Sequence, residues 1–251
     1  MLLAVLAGCA CHGFAAAAPE SAAASRGPYE IHHRLDTGPP GHAQDVALTL
    51  DACGGAYDRE LIATLVRLQV PATIFATRRW IDANPGAMRE LLAHPALFEI
   101  ENHGSAHVPA LLRGSVYGLP GAHDAAGIEN EVTGGARAIA EATGRAPAWY
   151  RAAGAVYDAP GERIIARLGY RIAGFSLNAD DGGTLGAASV AKRLRQMQPG
   201  DIVIAHLNRP ASGLAEGLAE VLPELLARRL RFVTLSQAAG VVAMETRRPV
   251  R

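Results

Sequence analysis

Cysteine is scarce in this chain, with three in 251 residues. Two of them, Cys9 and Cys11, fall in an N-terminal tract of leader character, so Cys53 is left without a partner and a disulfide-stapled scaffold is excluded. Aromatic residues make up only 5% of the chain, which leaves few flat side chains for gripping a polymer; Trp149, Tyr117 and Tyr157 are the candidates. An excess of charge of one sign is also absent. Lys plus Arg and Asp plus Glu both number 24, so no long-range field draws nucleic acid or an anionic membrane surface.

A long hydrophobic run is missing too. The opening "MLLAVLAGCACHGFAAAAPESAAAS" is too short to span a bilayer as a stable anchor. Over residues 1–25 it reads as an export signal with an Ala-rich tract, cleaved near Ala18. The tetrapeptide Leu6-Ala7-Gly8-Cys9 resembles a lipoprotein cleavage box, which would instead put a lipid anchor on Cys9. Either route implies an exported protein, periplasmic or tethered to the cell envelope. Residues 26–44 read as an irregular lead-in or linker, 45–240 as one domain and 241–251 as a tail.

From Val46 onward, short β-prone runs alternate with helical patterns. The runs are "VALTLD" (46–51), "ATIFAT" (72–77), "LFEIEN" (97–102), "AWYRAA" (148–153), "YRIAGFSL" (170–177), "DIVIAH" (201–206) and "RFVTL" (231–235). Between them lie amphipathic stretches such as "DRELIATLVRLQ", with Leu61, Leu65 and Leu68 on one face. Strand, helix, strand at this regularity predicts an α/β fold with seven parallel strands and helical crossovers, a closed or nearly closed barrel. An open doubly wound sheet is the competing architecture. The Gly-rich interval 104–127 predicts a loop bordering a site.

In parallel α/β barrels the working side chains sit at the C-terminal strand ends, which share one mouth. Here the first strand ends at Asp51, the third at His103 with His107 four residues on, the fourth carries Arg151, the fifth is followed by Asp180 and Asp181, and the sixth ends at His206. His103 and His107 can offer two imidazole nitrogens to one divalent ion if the turn between them is helical. Each group alone has an ordinary explanation: Asp51 as a turn or helix cap, Arg151 as a surface residue, the aspartates as turn formers before Gly182. Together they suggest a metal, a carboxylate base and a histidine acid, a set suited to hydrolysing an amide or ester.

These residues resemble the motifs of the NodB-homology polysaccharide deacetylases, carbohydrate esterase family four, over about residues 45–236. The family's Thr-Phe-Asp-Asp-Gly is similar to Thr49-Leu50-Asp51-Ala52-Cys53-Gly54-Gly55, with Ala52 standing where the family has a metal-binding Asp. Its His-x-x-x-His pair is matched by His103-Gly104-Ser105-Ala106-His107, and its arginine motif by "YRAAGAVYD". Its Asp-Trp motif corresponds to Asp180-Asp181 without the Trp, and its Leu-x-His to Ile204-Ala205-His206. The resemblance implies a distorted seven-stranded parallel (β/α) barrel that removes acetyl groups from glycans with a divalent metal. It implies Asp51 as base, Arg151 as the group that holds it, His206 as acid, Asp181 (in preference to Asp180) as the residue orienting that acid, and His103 and His107 as ligands. The third ligand stays open. Cys53 can replace the missing carboxylate, which would favour zinc; Asp51 can ligate instead; or the site holds metal poorly. The implied substrate is an N- or O-acetylated glycan such as peptidoglycan or an exopolysaccharide. The alternatives are a glycan-binding pseudoenzyme and an amidase acting on a small non-sugar amide.

Overall fold

A computed structural model describes residues 27–243 and 247–250. The export-signal and lipid-anchor expectations, with Cys9, lie outside the described residues. Among those residues no helix is long and apolar enough to cross a membrane.

The strands are β1 (Asp45–Ala52), β2 (Ala72–Ala76), β3 (Phe98–Asn102), β4 (Trp149–Tyr150), β5 (Arg171–Ile172), β6 (Leu177–Asn178), β7 (Ile202–His206) and β8 (Arg231–Phe232). The helices are α1 (Arg59–Leu68), α2 (Arg78–Ala83), α3 (Pro85–Leu92), α4 (Ala125–Thr143), α5 (Ala159–Arg167), α6 (Ala187–Leu194) and α7 (Leu214–Ala227). All pairings among these strands are parallel, in the order β5-β4-β3-β2-β1-β7-β6, and β8 pairs with the start of β1. The sheet curls into a barrel of seven parallel strands with helices outside, as the alternation predicts.

The expected strand 170–177 is instead two short strands, β5 and β6, at opposite edges of the curled sheet. Residues 173–176 cross between those edges, and the lead-in fills the gap, with His32 bridged to Phe175. Residues 29–35 of the lead-in therefore carry paired strand segments, whereas 36–44 lack a regular element. Tyr29–Glu30 pairs antiparallel with Val156–Tyr157, and His33–Leu35 with Val241–Ala243.

Alternation along the strands builds two apolar layers. Val46, Leu48, Leu50 and Ala52 point outward from β1 and pack with Leu61, Leu65 and Trp80 beneath the helices. Ala47 points inward, where Phe75, Trp149, Phe175, Ile202 and Ile204 fill the barrel interior. The intervening inward positions of β1, Thr49 and Asp51, are buried polar groups near the mouth. Side-chain caps start the helices beside that mouth. Asp58 accepts from Leu61 N at α1, Thr77 from Trp80 N at α2 and Asp124 from Gly127 N at α4.

Candidate active site

Asp51, next to last in β1, points inside the barrel, and Arg151, one residue past β4, meets it there. Arg151 Nη1 donates to Asp51 Oδ1 at 2.8 Å and to Thr49 Oγ1 at 2.8 Å. Its other guanidinium nitrogens donate to the carbonyls of Ala173 (3.1 Å) and Gly174 (3.3 Å), and the guanidinium lies over the Phe75 ring at 4.3 Å. A fully buried arginine is costly unless its donors are used, and here they are. Burial pushes the Asp51 carboxyl up, but the charges of Arg151, His103 and His206 outweigh it and hold the carboxyl below its usual range.

His206 ends β7, directly beside Asp51 in the β1–β7 register. Its backbone N–H donates to Asp180 Oδ2 (2.7 Å), and its Nδ1 donates to Asp180 Oδ1 (2.9 Å), leaving Nε2 as the free nitrogen. Burial works against a charged His206, yet the hydrogen bond and charge of Asp180, with help from Cys53, push its pKa well above the ordinary histidine value. The expectation that Asp181 orients this imidazole is corrected. Asp181 is exposed, in a left-handed turn (φ 53°), with its N–H capped by Asn178 Oδ1. The side chain that reaches His206 is Asp180, which is fully buried.

The third group comprises Cys53, His103 and His107, whose ligand atoms all lie within 4.8 Å of one another. His103 Nδ1 donates to the Arg151 carbonyl at 2.8 Å, so Nε2 is bare and faces Cys53 Sγ at 3.5 Å and Asp51 Oδ2 at 3.7 Å. The two imidazoles do not share a helical turn. Gly104 (φ 91°) and His107 (φ 67°) bend a loop that brings the rings edge-on, with centroids 4.9 Å apart. Burial raises the Cys53 thiol, but the neighbouring imidazoles outweigh burial and drive it well below its usual value, so the thiolate form is favoured.

Ala52 does not take the place of a ligand. The strand period sends Asp51 and Cys53 to the mouth and Ala52 into the outer apolar layer with Leu61 and Trp80. Cys53, two residues beyond Asp51, is the side chain that this backbone presents to the two histidines.

Three supporting residues escaped the sequence reading. Thr49 bridges Arg151 to β7, donating to the Val203 carbonyl at 2.5 Å; its inward position two residues before Asp51 was the available signal. Glu131, a buried acid on the apolar face of α4, accepts the N–H groups of Ala106 and Val108 that flank His107. Asn102 accepts from Gly104 N and donates to the Val132 carbonyl. Gly135 lets α4 approach this loop, since a Cβ there would collide with Asn102 Oδ1 and the Gly104 carbonyl. Beyond Cys53 and His206, a cavity of about 590 Å³ opens between Gly54, Gly55, Gly183, Asn208 and Gly213. Of the three aromatic candidates, Trp149 is buried inside the barrel and the Tyr157 hydroxyl is taken by Ala152 N–H, whereas Tyr117 is exposed.

A family model described as polysaccharide deacetylase matches residues 38–173. No curated protein matches the chain in sequence. Among solved structures, a CE4 family pseudoenzyme from Bacillus anthracis, BA3943, is similar at 20% identity and TM-score 0.63, over 77% of this chain; the chain spans 64% of that protein's length. The Bc1960 peptidoglycan N-acetylglucosamine deacetylase is similar at 19% identity and TM-score 0.69, over 83% of this chain and 92% of that one. Peptidoglycan deacetylase PdaC from Bacillus subtilis is similar at 19% identity and TM-score 0.62, over 77% of this chain and 89% of that one. At these identities the likeness speaks for the fold.

Proposed function

The chain belongs to the polysaccharide deacetylase family, and from that premise we propose that it is a metal-dependent hydrolase that removes acetyl groups from an N-acetylated glycan outside the cytoplasm. Peptidoglycan or a secreted polysaccharide is the substrate class, and O-acetyl groups fall within the same chemistry. One observation carries the reading: an ionised carboxylate clamped by a buried arginine, a histidine braced by a buried aspartate and a Cys-His-His cluster converge at one barrel mouth.

The donor set fits a divalent ion, zinc foremost. Thiolate and imidazole are borderline-soft ligands, and His103 has its second nitrogen fixed by a carbonyl in the manner of metal-bound histidines. Cys53, His103 and His107 would hold the ion, which would supply Lewis acidity to the acetyl carbonyl and to an attacking water. Asp51 accepts the proton of the attacking water. Arg151 fixes its carboxylate and keeps it ionised. His206, protonated and held by Asp180, delivers a proton from Nε2 to the departing amine. Export, by cleaved signal or through a lipid on Cys9, belongs to the same proposal.

A second reading, a glycan-binding protein without turnover, draws on the position of Ala52, which leaves the cluster with one carboxylate fewer than the family motif. Acetate release from N-acetylglucosamine oligomers and from peptidoglycan separates the two. Metal-stripped protein should release none, and added zinc or cobalt should restore release. A folded sample that releases no acetate with zinc, cobalt, manganese or magnesium contradicts the hydrolase.

A further inference from the structure

Tyr117 is the one large aromatic side chain among the described residues that stands mostly in solvent, with 63% of its surface exposed. It sits at the tip of a two-stranded hairpin, Ser115–Val116 against Leu119–Pro120, within the loop that follows the His103-His107 segment. Tyr117 (φ 50°) and Gly118 (φ 75°) are both left-handed, as the tight turn of such a hairpin demands. Asn or Asp with Gly meets that demand at little cost, whereas a bulky ring in the left-handed region is strained. Strain held at an exposed position points toward use.

The surroundings say what kind of use. One edge of the ring rests on Gly154, three residues past Arg151, where a Cβ would come within 3.2 Å of it. The phenol hydroxyl donates to Glu30 Oε1 at 3.3 Å, and Glu30 is itself fixed by the pairing of Tyr29–Glu30 with Val156–Tyr157. The lead-in thus braces the ring. An open aromatic face with a carboxylate acceptor at its edge matches a pyranose ring, which offers an apolar C–H face with a rim of hydroxyl donors.

We infer that Tyr117 is a stacking platform for a sugar unit flanking the acetylated one, with Glu30 beside it accepting a sugar hydroxyl. The inference rests on the glycan reading above and adds that the ligand is an oligomer rather than a single sugar or a small amide. It makes Tyr117 a residue that sets chain-length preference, remote from the proton transfers.

The test is calorimetric binding of N-acetylglucosamine and its pentamer to the full chain and to Tyr117→Asn and Tyr117→Phe, with acetate release followed in parallel. Asn suits the turn, so Tyr117→Asn removes the ring without threatening the hairpin. The pentamer should bind the wild type more tightly than the monomer. Tyr117→Asn should lose about tenfold in pentamer affinity, a typical worth for one aromatic contact, with no change for the monomer. Tyr117→Phe should stay within about twofold of wild type. Equal losses for monomer and pentamer, an unchanged pentamer affinity in Tyr117→Asn, or a wild type that binds neither sugar would each overturn the platform. Length-dependent loss in a wild type that releases no acetate would retain the platform and reject the hydrolase.

Discussion

On one side of the barrel mouth, Asp51, Arg151, Asp180 and His206 spend their hydrogen-bonding capacity on one another and on the surrounding backbone. On the other, Cys53, His103 and His107 meet through a 3.5 Å sulfur–nitrogen contact and an edge-on ring pair, with His103 Nε2 set between Cys53 Sγ and, at 3.7 Å, Asp51 Oδ2. Both groups are carried by the C-terminal ends of one parallel sheet, and β1 contributes to each. The first, the proton-transfer apparatus of the proposed reaction, is assembled from protein groups alone. The second concentrates lone pairs toward one point and fixes them from behind, through the Arg151 carbonyl and through Glu131, as a ligand shell does. The contrast teaches that the departure from the family motif falls at the Ala52-Cys53 step, beside the proposed ligand cluster, and leaves the Asp51-Arg151 and Asp180-His206 pairs intact.

The largest way to break the comparison is at the proton-transfer side. Asp51→Asn and His206→Ala should each cut acetate release by about 10²–10⁴-fold, the usual range for a general base or acid. Zinc uptake by His206→Ala should be unchanged, so activity and metal content would part company. If His206→Ala retains full activity, the acid is elsewhere.

Next comes Ala52→Asp, which on sequence grounds restores the family motif. Because Ala52 points into the apolar layer with Leu61 and Trp80, the new carboxyl should destabilise the fold by about 2–4 kcal/mol in denaturant titration, with no gain in metal affinity. Cys53→Asp, by contrast, should keep a bound ion and shift preference from zinc toward harder cations. A stable, more active Ala52→Asp would show that the strand end rearranges and that the ligand position is Ala52 after all.

The aspartate pair sharpens the picture at smaller scale. Asp180→Asn should lower turnover by about 10–10²-fold, through a misoriented imidazole with a reduced pKa. Its signature is a pH–rate profile whose alkaline limb moves to lower pH, since loss of the Asp180 charge favours neutral His206. Asp181→Asn should leave turnover of small substrates within about twofold of wild type. Reversal of the two results would return the orienting role to Asp181.

Much of the mouth was legible because strands followed by ionisable residues leave a plain record: Asp51 and His206 come at the ends of apolar runs, and His103 directly follows a strand. The alternation of a strand also distinguishes Cys53 from Ala52, although only the observed end of β1 at Ala52 shows that alternation persists that far. Asp180 and Asp181 could not be told apart, because they sit in an aperiodic turn where no repeat assigns a face. The split of 170–177 into β5 and β6 depends on which distant strands each end meets, and no local pattern carries that information. The strands of the lead-in are two and three residues long, too short for alternation to register. The short helix α2 went unread in "TRRWIDAN" for a similar reason, its six residues giving less than two turns of period.

The central claim is that Cys53, His103 and His107 hold the ion on which deacetylation depends. Cobalt titration of the metal-stripped chain, alongside Cys53→Ser and with acetate release followed on the same samples, tests it most directly. The account predicts one cobalt per chain in the wild type, a thiolate-to-cobalt charge-transfer band that is missing in Cys53→Ser, and acetate release that rises with that band. Acetate release from metal-free protein, or a cobalt spectrum identical in wild type and Cys53→Ser, would contradict it.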